Sequence, residues 1–295
     1  MARSPFAWQS TLILLLVLPW TAVSVAIEAR SWMAQQPAVA GWTLGLSAGL
    51  GLLAWSARAA TPAAALTGAV INASLMFSMV EPPFRPWRTG LVPVVMVLVL
   101  TSLATRFGRR RKERLGTAEK RRGRGAAQVA ANLGMAALVM DPTVQSGLID
   151  MRWLAGHPFR SVLALGLAAL AEAAADTVSS ELGQVLGGAP RMVTTLRRVE
   201  PGTDGGMTLA GTVAGIFAAG VVALGGVVAL HGDTWMLAVS WTGGVFGFLF
   251  DSLLGATAER AGWLGNDAVN FLSTASAVAF ALALFAVGPH PGIVG

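Results

Sequence analysis

Residues 171–183 read AEAAADTVSSELG and place three carboxylates, those of Glu172, Asp176 and Glu181, at the end of an otherwise apolar segment. On a helix, Glu172, Asp176 and Ser180 recur every four residues, so one face carries two acids and a hydroxyl. Ionisable groups at membrane depth are costly and usually face a polar cavity or a metal rather than lipid. We therefore interpret this stretch as the polar part of a membrane helix. A helix end whose acids reach solvent is the alternative, and it suits Glu181 best.

The composition supports a membrane protein. The 295 residues are 54% hydrophobic and 12% charged, and they include 35 glycines, which excludes an ordinary soluble domain. Because cysteine is absent, disulfides, a thiolate nucleophile and cysteine-based metal sites are excluded. The net charge of +6 comes from short basic loops, so the positive-inside rule explains it without a nucleic-acid partner.

Nine apolar stretches are long enough, at about 17 to 25 residues, to cross a bilayer. They lie near residues 7–27, 38–57, 62–80, 89–106, 125–141, 159–179, 206–230, 234–256 and 267–287. The sequence thus predicts an all-α, polytopic integral membrane protein, one domain over residues 1–295 with about nine transmembrane helices. The third and fifth stretches are the least hydrophobic and are the best candidates for short or re-entrant segments.

Basic residues predict the orientation. The segment 106–124 (RFGRRRKERLGTAEKRRGR) holds ten Lys or Arg against two Glu, which predicts a cytoplasmic loop that also contacts anionic lipid headgroups. A phosphate-binding role for Arg122 or Arg124 is the secondary interpretation. By alternation the amino terminus lies inside and the carboxyl terminus outside, so sixteen of the 21 Lys and Arg are cytoplasmic. His157, His231 and His290 then lie on the opposite side. We expect a bacterial-type inner (plasma) membrane, with the polar residues on its cytoplasmic face.

Five segments bring polar side chains to that face, whereas chance placement would scatter them across both. The residues concerned are Gln128 and Asn132, Asp176 to Glu181, the loop before the seventh helix, Asp251, and Asn266, Asp267 and Asn270. Asp251 lies in a row of glycines spaced by four, at 243, 247 and 255. Such a ridge lets neighbouring helices approach closely, so the aspartate within it faces another helix.

The loop 187–206 ends in PGTDGG (201–206) just before the seventh helix. Glycines that lead into a helix expose backbone N–H groups and the positive end of its dipole, which favours anions. Arg197 and Arg198 would add charge-assisted bonds to phosphate. A plain turn explains GTDGG equally well. Together, the carboxylates, amides, hydroxyls, arginines and glycines suit Mg²⁺ and phosphate.

Five motifs in order resemble those of the membrane family catalogued as domain of unknown function 92. They are QVAANLG (128–134), ADTVSSELG (175–183), VEPGTDGGMTLAGT (199–212), FDSLLGAT (250–257) and NDAVNFLS (266–273). The resemblance covers roughly residues 60 to 288, and the family includes the plant phytyl-phosphate kinase of vitamin E synthesis and transmembrane protein 19-like proteins. A fainter likeness to CTP-dependent polyprenol and dolichol kinases includes a basic residue at 197. Arg197 stands where lysine is often found, which keeps the charge but changes the donor geometry.

The resemblance implies a kinase that converts a lipid-embedded isoprenyl monophosphate, such as phytyl or geranylgeranyl phosphate, to its diphosphate. A nucleoside triphosphate, expected to be CTP, and Mg²⁺ would take part. The expected catalytic residues are Asp176, Asp251 and Asn270. The expected metal ligands are Asp176, Asp251, Glu181 and Asp267. The expected phosphate and nucleotide contacts are Arg197, Arg198, Thr203, Gly205, Gly206, Asn132 and Ser180. Because a phosphate acceptor is already ionised, no histidine base is needed.

Two other functions use the same parts. A transporter can coordinate an ion or anionic solute with buried acids and broken glycine-rich helices. The one-sided polar cluster and the absence of a convincing inverted repeat argue against it. A CTP-dependent lipid cytidylyltransferase would use the same phosphate and metal groups, and the sequence does not separate it from the kinase. The partners expected for the kinase are the bilayer, an isoprenyl-phosphate lipid and a nucleoside triphosphate.

Overall fold

The computed structural model describes residues 5–80, 82–118, 123–150 and 158–287. The α-helices in these ranges are α1 Ala7–Gln35, α2 Pro37–Ser56, α3 Pro62–Ser78, α4 Leu91–Arg106, α5 Arg109–Leu115, α6 Ala126–Val139, α7 Pro142–Asp150, α8 Pro158–Leu186, α9 Leu209–Ala229, α10 Thr234–Leu254 and α11 Asn266–Val287. Strand β1 (Arg191–Met192) pairs antiparallel with β2 (Gly206–Met207). A 3₁₀ turn, Pro86–Arg88, precedes α4, and a π-helical turn, Gly255–Glu259, continues α10. The predicted helical architecture is confirmed.

The number of membrane spans differs from the prediction. Within the described ranges, six helices are long and apolar enough to cross a membrane, namely α1, α2, α8, α9, α10 and α11. Helices α4 and α5 together would form a seventh span, bent by 63° at residues 107–108. Helices α3 and α6 have only 17 and 14 residues, fewer than the roughly 20 that a bilayer core requires. Every predicted stretch therefore contains a helix, but six or seven spans qualify rather than nine. The membrane orientation stays a prediction.

Helix α8 is the centre of the bundle, which explains how its acids avoid lipid. In its most apolar window 94% of the residues are buried, against 22% for α1. It packs against α4, α6, α9, α10 and α11. Glycines allow this closeness: a Cβ added at Gly244 of α10 would lie 2.7 Å from Cβ of Ala171, and one at Gly215 of α9 would lie 2.9 Å from the carbonyl oxygen of Ala175. In the predicted small-residue ridge, Gly247 packs against both α8 and α11, because an added Cβ would lie 2.7 Å from Cγ of Glu172 and 2.7 Å from Cβ of Ala277.

One end of the bundle, which we call the polar end, gathers the predicted polar segments. Helices α2, α4, α8 and α10 end there, and α3, α6, α9 and α11 begin there. Side chains join these ends across the fold: Arg106 Nη2 donates to the carbonyl of Ala57 (3.1 Å), and Gln9 Nε2 donates to that of Trp263 (2.9 Å). The polar end is the side that the basic-residue rule predicts to be cytoplasmic.

Part of the basic segment is a buried structural element rather than a solvated loop. Lys112 of α5 is 1% exposed, and its Nζ donates to the carbonyl oxygens of Ala104 (2.9 Å) and Thr105 (2.8 Å) near the end of α4. The same Nζ lies 2.5 Å from Oε2 of Glu181. Lys112 therefore satisfies orphan carbonyls of α4 and neutralises an acid of α8. Residues 119–122 of this segment lie outside the described ranges.

Candidate functional site

A polar cleft of about 250 Å³ opens at the polar end, between α8, α10, α11 and the loop that precedes α9. It brings together seven residues that the sequence predicted to act at one site: Asp176, Ser180, Thr203, Gly205, Gly206, Asp251 and Asn270. Three separate helices supply Asp176, Asp251 and Asn270, so the predicted convergence of these side chains is observed. Their chemical roles stay predictions.

The aspartates of α8 and α10 form the centre of the cleft. Asp176 and Asp251 both line the cleft, and their carboxyl groups interact electrostatically. Two neighbouring carboxylates repel unless a proton or a cation lies between them. Within the described part of the chain, Oδ1 of Asp251 is buried without a hydrogen-bond partner, and so is Oε1 of Gln184, which also lines the cleft. Buried polar atoms are almost always partnered, so these two oxygens are candidates to bind a ligand.

The oxygens of this cleft fit Mg²⁺. That ion takes oxygen ligands and is usually held by one or two carboxylates, with phosphate and water oxygens completing the shell. Asp176 and Asp251 supply the carboxylates, and Asn270 offers an amide oxygen nearby. Among the residues that the structure describes, no group of three or more acids and histidines could hold a metal ion alone. A Mg²⁺ ion here would therefore need ligands from bound phosphates and water.

A third carboxylate, that of Glu172, lies one helical turn deeper. The sequence analysis identified Glu172 as an acid on the same helix face but did not predict it as a site residue. Glu172 is 1% exposed, and its Oε1 accepts a hydrogen bond of 2.6 Å from Ser273 Oγ. It interacts electrostatically with Asp176. A Cβ added at Gly247 would lie 2.7 Å from Cγ of Glu172, so α10 presses directly on this side chain. The sequence feature that could have predicted Glu172 as part of the site is its spacing of four residues from Asp176.

The glycine-rich loop forms a closed turn, so the predicted phosphate cradle is only partly available. The N–H of Thr203 donates to the Glu200 carbonyl (3.1 Å), and the N–H of Gly206 donates to the Thr203 carbonyl (2.9 Å). Gly205 has a left-handed φ of 73°, and a Cβ there would lie 2.4 Å from the backbone nitrogen of Ala256. The loop is therefore folded onto the end of α10, and two of the predicted backbone donors are already used.

The arginine that lies beside the aspartates is Arg124, the secondary candidate, rather than Arg197 or Arg198. Arg197 and Arg198 are exposed and do not line the cleft, because the paired strands turn this segment outward. Instead, Arg124 Nη2 donates to Thr177 Oγ1 (3.3 Å), and the guanidinium interacts electrostatically with Asp176. The sequence treated Arg124 mainly as a topology signal, because nothing local indicates which acid it approaches.

A further arginine lies at the loop side. Partial burial raises the pKa of Asp204 above its usual range, and the neighbouring guanidinium of Arg260 partly offsets that rise. Arg260 Nη1 also donates to Sδ of Met192 (3.5 Å), which ties the end of α10 to β1. Asp204 and the nearby Glu259 both line the cleft. These contacts join residues far apart in the chain, so only the fold reveals them.

Three other predicted residues have different surroundings. Glu181 is paired with Lys112 and does not line the cleft. Asp267 accepts a hydrogen bond of 2.6 Å from Ser10 Oγ, so it faces α1 and not Asp251. Asn132 lines a separate apolar cavity, although its Oδ1 accepts a hydrogen bond of 3.4 Å from Asn270 Nδ2. The structure therefore does not bring Glu181 and Asp267 into the cleft with Asp176 and Asp251, and their role as metal ligands stays a prediction.

Comparison with known proteins identifies the family of this chain. The family described as "Integral membrane protein DUF92" matches residues 45–278. The chain belongs to this family. The predicted resemblance is thus confirmed, and the match begins earlier than the roughly 60 inferred from the motifs. No solved structure matches the chain significantly.

Relatives occur in archaea, cyanobacteria and plants. An uncharacterized membrane protein of Methanocaldococcus jannaschii is 40% identical over 46% of this chain and 60% of its own length. One of Synechocystis sp. is 31% identical over 67% of this chain and 74% of its own. Protein VTE6, chloroplastic, of Arabidopsis thaliana is 30% identical over 63% of this chain and 57% of its own. The chain thus spans about three fifths of the first and third of these relatives.

The fit between Gly205 and α10 gives a local test of the cleft. We expect Gly205→Ala to loosen the loop, because alanine is strained at a positive φ and its methyl group would overlap the backbone of Ala256. Amide hydrogen exchange of residues 199–207, followed by mass spectrometry, should become at least about tenfold faster. The control is Gly262→Ala, which has a φ of 74° but no atom within 4 Å of the added Cβ. Equal effects of the two changes would show that contact with α10 does not hold the loop.

Proposed function

We propose that this protein is a nucleoside-triphosphate-dependent kinase that phosphorylates an isoprenyl monophosphate to the diphosphate within the membrane. The observation that carries the proposal is the pairing of Asp176 with Asp251, whose Oδ1 is buried and unpartnered, in a cleft at one end of a membrane bundle. Membership of the family supports it, because the motifs of this chain resemble those of the family that includes the plant phytyl-phosphate kinase.

The proposed reaction needs positioning and charge neutralisation rather than a base. An oxygen of the acceptor monophosphate attacks the γ-phosphorus, and the bond from that phosphorus to the β,γ-bridging oxygen breaks. The electron pair leaves on the nucleoside diphosphate, and the new bond makes the isoprenyl diphosphate. Because the acceptor oxygen is already ionised, no proton has to be removed. The described residues that line the cleft include acids, amides and hydroxyls but no histidine, as this chemistry requires no base.

Each residue of the cleft has a proposed task. Asp176 and Asp251 would hold Mg²⁺, which when bound neutralises charge on the β- and γ-phosphates. Ser180 and Asn270 would orient phosphate oxygens by hydrogen bonds. Arg124 lies on the α8 side of the aspartates, where a guanidinium can stabilise charge on the transferred group.

The nucleotide and the membrane side are part of the proposal. CTP is the expected donor, on the fainter likeness to CTP-dependent polyprenol and dolichol kinases. The cleft lies at the polar end together with Arg106, Arg109 and Lys112 of the basic segment, which supports a site on the cytoplasmic face of an inner membrane. A soluble nucleotide would reach the cleft from that side, while the isoprenyl chain stays in lipid.

Product analysis tests the proposal. Purified protein in nanodiscs should convert geranylgeranyl or phytyl monophosphate to the diphosphate with one nucleoside diphosphate released per turnover. The assay should use each of the four nucleoside triphosphates in turn, with Mg²⁺, and a chelator should abolish the product. A nucleotide-linked lipid with released pyrophosphate would support the cytidylyltransferase instead. Solute movement across liposomes without either product would support the transporter.

A further inference from the structure

A second cavity, which we call the apolar cavity, lies on the other side of α8 from the polar cleft. Its volume is about 480 Å³, within the range of ligand pockets, and it lies between α2, α3, α4 and α6. Aliphatic and small side chains form its walls, including those of Leu50, Ala65, Val97, Leu98 and Leu133. This lining suits a hydrocarbon chain, and the function proposed above assigns a role to Arg124 but not to the apolar walls.

The polar end of this cavity is basic. Four arginines, Arg58, Arg106, Arg109 and Arg124, line it, and we call them the arginine mouth. Backbone contacts place them at the same end: Arg106 donates to the carbonyl of Ala57, next to Arg58, and the N–H of Arg124 donates to the carbonyl of Ala59 (3.0 Å). No acid is found among the described residues that line the cavity. The cavity therefore complements an anion joined to an apolar chain.

The arginine mouth is next to the polar cleft. Arg124 lines the apolar cavity and also interacts electrostatically with Asp176, which lines the cleft. Asn132 lines the cavity and accepts the hydrogen bond from Asn270, which lines the cleft. Two independent contacts thus join the basic end of one space to the acidic centre of the other.

We propose that the apolar cavity binds the acceptor lipid, with its isoprenyl chain along α2, α4 and α6 and its monophosphate on the arginine mouth. The identity of the ligand rests on the proposed function. A monophosphate with two negative charges can accept from several guanidinium groups at once, which favours it over an uncharged isoprenol. Arg124 would then hold the acceptor phosphate beside the aspartates that hold the donor.

A binding assay without turnover tests this proposal. Purified protein is placed in nanodiscs of phosphatidylcholine, without nucleotide or Mg²⁺, and labelled with a photoactivatable geranylgeranyl monophosphate. Labelling should be saturable and should map by mass spectrometry to α2, α4 or α6. Unlabelled geranylgeranyl monophosphate should compete at least about tenfold better than geranylgeraniol, because only the phosphate contacts the arginine mouth.

Filling the cavity provides the first variant. A Cβ added at Gly68 would lie 3.8 Å from Cγ1 of Val129, so a larger side chain enters the cavity without a backbone clash. We expect Gly68→Leu to weaken binding of geranylgeranyl monophosphate at least about tenfold by occupying the space of the chain. The matched control is Gly45→Leu on α2, where nothing lies within 4 Å of the added Cβ and which does not line the apolar cavity. It should leave affinity unchanged.

The second variant removes a charge from the arginine mouth. It tests the proposal independently, so the proposal can still be judged if Gly68→Leu does not fold. Arg58→Gln should weaken binding of the monophosphate about tenfold while leaving the weak binding of geranylgeraniol unchanged. The control is Arg111→Gln, an exposed arginine of the basic segment 106–124 that does not line the cavity. A purely structural effect of Arg58→Gln would weaken both ligands equally.

Several results would overturn the proposal. Equal competition by phosphatidylglycerol at the same mole fraction would show a general site for anionic lipid, and full affinity of Gly68→Leu would show that the chain lies elsewhere. The proposed function can fail separately. Binding that depends on Gly68 and Arg58 without any turnover would contradict the kinase but retain the cavity as a lipid-phosphate site. Turnover with labelling outside these helices would contradict the cavity alone.

Discussion

Asp176→Asn and Asp251→Asn are each expected to lower isoprenyl-phosphate kinase turnover by at least about 100-fold while the protein stays folded. An amide keeps the shape of the carboxyl group but removes a charge that Mg²⁺ requires. Both side chains line the cleft and interact electrostatically with each other. Each variant should be assayed for diphosphate formation at saturating Mg²⁺ and nucleotide. Size-exclusion chromatography and circular dichroism should be unchanged.

The control for these variants is an aspartate at the other end of α10. Asp233 caps that helix by accepting from the N–H of Met236 (2.8 Å), and asparagine is an equally good cap. Asp233→Asn should therefore have full activity. Wild-type turnover in both cleft variants would refute the assignment of the aspartate pair. Loss of activity in Asp233→Asn as well would show that the assay reports general destabilisation.

Lys112→Met is expected to destabilise the protein more than any other single change discussed above. Breaking a buried ion pair on one side costs about 3–5 kcal/mol, because the remaining charge loses both water and its partner. Without Lys112, the carboxylate of Glu181 would be a charge without a partner inside the protein. The carbonyls of Ala104 and Thr105 would also lose their hydrogen-bond donor. A large fall in the midpoint of thermal unfolding, measured by tryptophan fluorescence in detergent, is the expected result.

Two further variants show whether charge burial is the cause. The double variant Lys112→Met/Glu181→Leu should recover much of the loss, because neither charge is then buried alone. The matched control is Glu113→Gln, which breaks the Arg109–Glu113 pair on the same short helix (3.1 Å, with both side chains over 40% exposed). That change should cost less than about 1 kcal/mol. A double variant as unstable as Lys112→Met would indicate that the lost carbonyl contacts dominate.

Periodic patterns in the sequence predicted the centre of the site. A spacing of four places Glu172, Asp176 and Ser180 on one face of α8, and glycines at the same spacing bring α10 against that helix. A helical period and the cost of charge in an apolar helix are local properties, so they can be read from the residues alone. The convergence of Asp176, Asp251 and Asn270 could therefore be predicted, although their surroundings could not.

Hydropathy predicted where the helices lie but not how many cross the bilayer. Residues 62–80 and 125–141 read as apolar stretches, yet α3 and α6 have 17 and 14 residues. The chain between α4 and α5 bends at Gly108, which has a φ of 61°. Apolar composition indicates burial, whether against lipid or against other helices. Only packing distinguishes the two.

The sequence by itself determined that this is a helical membrane protein with an acidic, glycine-rich polar cluster, because composition, period and charge bias act within single segments. The tertiary structure alone decided which charges meet. Glu181 is paired with Lys112, 69 residues away, and Asp267 with Ser10, 257 residues away. Arg124 lies beside Asp176, whereas Arg197 and Arg198 are exposed. Electrostatic attraction falls with distance and solvent exposure, so partners depend on which helices pack together, and no local pattern contains that information.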